Sequence, residues 1–242
     1  MRSKLPWVIA LCCASSLPHC MHVSDGIELD IAYQPEATPA EIRTDMGYRV
    51  RLERALIAVG QVKLVPCESL ASHFWELIGP ARARAHELST PTSLGVPLVL
   101  DLMESAGMPV FAGTLRPPPG SYCGIRFTGM PADEDAEGLT EESLDMMRHS
   151  VLIVARIEDG VSAEAWPVTV GISETLPCEL PFDEPLVFDR PVLEGVSIAI
   201  DHTAWFDGID FAEGDAGTVQ RQITDNIRSS LTALRSYGTS GL

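Results

Sequence analysis

With 242 residues, 45% of them hydrophobic, the chain is long enough for one domain with a substantial core and too apolar to be disordered. Its 34 acidic residues against 17 basic ones give a formal charge of −17, which repels phosphate backbones and argues against nucleic acid as a partner. The same charge suits cationic partners or metal ions.

Arg2 and Lys4 precede an uncharged run from Leu5 to Leu17, and Cys20 follows, which is the pattern of an export signal over residues 1–19. The run is too short to cross a membrane, which takes about 20 apolar residues. Cleavage before Cys20 leaves a cysteine at the new N-terminus, where a bacterial lipoprotein carries its lipid. The tetrad Leu17-Pro18-His19-Cys20 keeps the leucine and the cysteine of that signal and lacks its small residue. The expectation is an exported chain, periplasmic or at the cell surface, held to a membrane by lipid at Cys20. Loss of Arg2 and Lys4 leaves 15 basic residues against 34 acidic ones, a balance of −19.

Residues 20–242 read as a single domain. Ile27 to Tyr33 alternates apolar and polar residues and predicts a strand. Alternation continues from Tyr48 to Val65, as one or two antiparallel strands turning near Gly60. Ala71 to Leu88, with its Gly79-Pro80 breaker, reads as a loop with a helical turn. Leu94 to Met103 is partly strand, pushed to an edge by Pro97, and Val110 to Leu115 is a short strand. Pro117-Pro118-Pro119-Gly120 makes a rigid turn before the strand Tyr122 to Thr128. Residues 131–149 are acidic, a solvated loop ending in a short helix, Glu141 to His149. Strands follow at Val151 to Ile157, Ala163 to Ile172, Leu186 to Phe188 and Val192 to Ile200, with turn signals about every ten residues, as in a β-sandwich. Val219, Ile223, Ile227, Leu231 and Leu234 then change the period and predict an amphipathic helix of about 18 residues, stopped at Gly238. The fold class is mainly β, an antiparallel β-sandwich with a C-terminal amphipathic helix.

Outside the signal and its boundary the cysteines are Cys67, Cys123 and Cys178, an odd set that predicts one disulfide and one free thiol in an oxidising compartment. Cys67 is the favoured partner, with either Cys123 or Cys178. No CxxC pair, HExxH, GxSxG, P-loop or GxGxxG is present, so no enzyme signature supports catalysis. Histidine is the commonest metal ligand, and beyond the signal the chain holds His22, His73, His86, His149 and His202. His149 ends a charged helix, where a cation suits the dipole without any metal. The stretch Trp205-Phe206-Asp207-Gly208-Ile209-Asp210-Phe211 reads either as a pocket rim or cation site, or as a corner whose aromatics plug the sandwich end.

Leu115-Arg116-Pro117-Pro118-Pro119-Gly120-Ser121-Tyr122-Cys123-Gly124-Ile125-Arg126-Phe127, followed by Met130-Pro131, resembles a strand-turn-strand segment of MbnP-like proteins, which are exported and associated with copper handling. Val196 to Trp205-Phe206-Asp207-Gly208 is similar to the segment near their C-terminal end, and Gly47 to Leu64 to their long early strand pair. The resemblance implies a β-sandwich outside the cytoplasm with a copper-associated role. Some related proteins bind copper beside a Trp-x-His motif; this chain has the reverse order, His73-Phe74-Trp75. The leading expectation is a non-enzymatic copper-binding protein using His86 and His202, with His73 as third ligand. The alternative is a metal-free interaction module whose loops bind a protein or a polysaccharide.

Overall fold

A computed structural model describes residues 26–67, 89–95, 97–160 and 165–236. The signal, Cys20, His22, His73, His86 and the loop expected at Ala71 to Leu88 lie outside the described residues.

Among the described residues twelve strands form two sheets. They are β1 (Ile27–Pro35), β2 (Ile42–Arg43), β3 (Arg49–Pro66), β4 (Ser93–Leu94), β5 (Leu98–Asp101), β6 (Val110–Leu115), β7 (Gly120–Gly129), β8 (Val151–Glu158), β9 (Ala165–Ile172), β10 (Leu176–Phe188), β11 (Val192–Ile200) and β12 (Leu231–Ser236). The smaller sheet has the order β12-β11-β1-β6, and the larger one the order β10-β7-β3-β8-β9, with β2, β4 and β5 also pairing to β3. Inward residues of both sheets, among them Ile27, Leu29 and Ile31 on β1, Phe127 on β7 and Ile153 on β8, share one core, so the sheets close into a sandwich. The smaller sheet is mixed rather than purely antiparallel, because β1 runs parallel to β11.

Expectations at Gly60, at β10 and at the C-terminal helix also change. Gly60 is not a turn: β3 runs unbroken through it for 18 residues. A side chain at Gly60 would collide with Met130, and the register with β7 shifts between Val59 and Gln61, so the glycine marks a bulge under a crossing side chain. The strand expected at Leu186 to Phe188 starts ten residues earlier, at Leu176. Its Pro177, Pro181 and Pro185 are tolerated because β10 lies at the edge of its sheet, with β7 as its neighbour among the described residues. The C-terminal helix, α1 (Ala216–Ser230), ends before Leu231, and the chain then turns extended as β12 against β11. Leu234, taken by its spacing as part of the helix face, is a half-exposed strand residue. Asp215 caps α1 by accepting from the Gly217 and Thr218 amides, and Val219, Ile223 and Ile227 bury its apolar face.

Cys67 and Cys123 form the disulfide, joining the end of β3 to β7, and Cys178 stays free and buried.

Candidate functional site

The site begins with a slip in β3. Between Leu52 and Arg54 the register with β8 shifts by one residue, so that Arg51, Glu53 and Arg54 all point to the outer face. Beyond the slip the strand is apolar on both faces. Ala55, Ile57 and Val59 enter the main core, while Leu56 and Ala58 face outward. They are nonetheless almost fully buried, at 1% exposure each. The acidic segment after β7 covers them. Ala132, Ala136 and Met146 pack on Leu56, Ala58, Val99 and Leu152 as a second, smaller core. The expected solvated loop is therefore a strap laid on the larger sheet, with alanines inward and carboxylates outward. Its predicted helix is a short 3-10 helix of six residues, Glu141–Met146.

Between strap and sheet lies a groove of about 700 Å³. Leu56 and Val99 contribute its apolar lining, Asp101 and Glu104 approach from the end of β5, and Glu141 and Glu142 from the strap. Gly138 has a positive φ, and a Cβ there would meet the Val99 carbonyl, so a glycine lets the strap run against β5. Arg54 latches the far end: its guanidinium forks onto the Asp145 carboxylate (Nη2 to Oδ1, 2.9 Å) and Nη2 also donates to the Glu142 carbonyl at 3.0 Å. The pairing holds Asp145 below the usual carboxylate range. Asp101 Oδ1 is occupied by the Met103 and Glu104 amides, at 2.8 and 3.1 Å. The carboxylates of Glu104, Glu141 and Glu142 have no hydrogen bond or ion pair among the described residues. Elsewhere arginines such as Arg49, Arg116, Arg126 and Arg235 each meet a glutamate.

His202, the one expected ligand among the described residues, is fully buried. Its Nε2 lies 2.8 Å from Thr38 Oγ1, Nδ1 has no hydrogen-bond partner among the described residues, and the ring meets Trp205 edge-on. Burial pushes its protonation below the ordinary histidine value, against smaller opposing effects of Asp201 and the Ile200 carbonyl, which lies near the ring without hydrogen-bond geometry. Among the described residues no three His, Cys, Asp or Glu side chains are grouped to hold a metal ion. His149 is a structural histidine, its Nδ1 3.1 Å from the Met147 carbonyl and its ring over Gly171.

The Trp205 stretch is a plugged corner. Trp205 and Phe206 are buried, and the Trp205 indole donates to Ser230 Oγ at 2.9 Å. Asp210 accepts from Tyr48 Oη at 2.8 Å and from the Ala212 and Glu213 amides, so this carboxylate is spent on folding the loop. The fragments that resemble MbnP-like proteins thus fall on β3, on the turn from β6 into β7, on β7 itself, and on the end of β11 with this corner.

Sequence reasoning did not single out Arg54, Leu56, Val99, Glu141 or Glu142. The available signal was local: two adjacent polar residues, Glu53-Arg54, break the alternation of β3, and the apolar run Ala55 to Val59 then demands cover on both faces.

Comparison with known proteins finds no matching family model, curated relative or solved structure, so the groove is read from its own chemistry.

Proposed function

We propose that the chain is an exported, non-catalytic interaction module whose groove receives an extended, cationic segment of a partner protein, and that lipid at Cys20 holds it to a membrane. The groove itself carries this reading. It offers an apolar floor for the stems of lysine or arginine side chains and unpaired carboxylates for their heads. Those carboxylates come from two separate elements, which suits a chain lying along the groove. An uncharged polysaccharide would make no use of them. The Cys67–Cys123 bond supports export, since such bonds persist in oxidising compartments. Copper at His202 has weaker support, because its Nε2 already meets Thr38 and the ring is sealed from solvent.

The test is an amide chemical-shift titration with an acetylated, amidated octapeptide carrying three lysines. Shifts are expected at Gly138, Thr140 and Ser143. The double variant Glu141→Gln, Glu142→Gln should weaken binding about tenfold, the scale of two lost surface charge contacts. Asp183→Asn with Glu184→Gln, the same change in net charge on exposed β10 residues, should leave it unchanged. Equal weakening by both pairs would reduce the effect to bulk charge and remove the proposal.

A further inference from the structure

Directly beside the groove, the same outer face reverses its sign. Arg51 on β3 and Arg156 on β8 stand opposite each other in register, both exposed. Like charges across an antiparallel pair destabilise it. Arg156 is partly compensated, its Nε donating to Glu53 Oε1 at 2.5 Å, and Arg49 next in line pairs with Glu158 at 2.9 Å. Arg51 has no ion pair or hydrogen bond among the described residues. A chain with twice as many acids as bases therefore leaves a guanidinium uncompensated here, facing a second one.

We infer that Arg51 and Arg156 form a clasp for a carboxylate of the same partner whose cationic part fills the groove; this rests on the groove reading above. The two guanidinium forks match a carboxylate in geometry as well as in charge. A phosphate polymer has matching anions too, but the net charge of −17 repels it, which leaves an acidic side chain on a protein segment. Arg51 precedes Arg54, the groove's latch, by three residues, or roughly 10 Å along an extended strand. The partner segment is accordingly bipolar, with basic residues followed by an acidic one about three residues away in extended conformation.

Three acetylated, amidated octapeptides test this at physiological salt. One carries lysine at its first three positions, one carries aspartate at its last three, and one carries both. Bulk attraction to an acidic protein predicts that the bipolar peptide, with no net charge, binds more weakly than the basic one. The clasp predicts the opposite order, the bipolar peptide binding about threefold to fivefold tighter, as one or two exposed ion pairs supply. Arg51→Glu and Arg51→Ala should each abolish that advantage and leave the basic peptide's affinity no lower than before. Both substitutions fall on an exposed side chain, and circular dichroism checks the fold. If the basic peptide binds in the groove and the bipolar one gains nothing, the clasp is overturned while the groove reading stands. If only the aspartate peptide binds, and through Arg51, the groove reading falls and the bipolar partner with it.

Discussion

At the scale of single residues, His202 makes folding sensitive to mild acid. Its ring is buried, meets Thr38 through Nε2, and has its protonation pushed down by burial. Because its folded protonation point lies below that of the unfolded chain, its contribution is complete above about pH 6.5, the unperturbed histidine value. Below that, the unfolded state takes up a proton that the folded state refuses, so stability falls with pH. Urea midpoints measured from pH 8 to pH 5 should decline across this window, and His202→Gln should flatten that decline. Asp145 acts by the same sign in a lower window: its contribution is present above about pH 4 and is lost as acid titrates the pair with Arg54. A second residue-scale outcome concerns Ser230. Replacing it by alanine leaves the buried Trp205 indole without an acceptor, which should lower the unfolding free energy by about 1–3 kcal/mol in denaturant titration.

Elements respond as units, and the strap is the clearest of them. It is tied at its base by the Ala132 amide to the His149 carbonyl and by the Arg148 amide to the Ala132 carbonyl, at 3.0 and 2.9 Å, and latched at the groove by Arg54. Arg54→Ala should raise hydrogen exchange across residues 140–147 while changing global stability by less than about 1 kcal/mol, since the pair is partly exposed and the small core beneath stays in place. An unchanged exchange pattern would show that the latch holds nothing. The elements also explain what could be read in advance. β1 is legible because its burial alternates, one face in the core and the other partly exposed. β10 was hidden behind prolines that only an edge position permits, and an edge position is a property of the sheet, not of the segment. Leu231 and Leu234 continued the helical spacing by coincidence, and pairing with β11 overrode it. The groove was least legible, because it depends on a one-residue slip whose partner, the strap, lies about eighty residues further on along the chain.

For the whole molecule, the disulfide between Cys67 and Cys123 closes a span of 56 residues. Loop-closure entropy assigns it about 4 kcal/mol, so the Cys67→Ser, Cys123→Ser variant should lose roughly that much unfolding free energy. Cys178 sits apart from it, buried, with its thiol pushed up by desolvation. In a Cys20→Ser protein lacking residues 1–19, an aromatic disulfide reagent should find this thiol only after denaturation. Rapid labelling of the folded protein would mean that β10 opens far more readily than its packing suggests.

The parallel pairing of β1 with β11 sets Ile27 beside Val192, about two thirds of the 242-residue chain apart. In a chain made from its amino end, β1 can pair with β6 early, but its other edge stays open until β11 has been made. The centre of the smaller sheet is completed late.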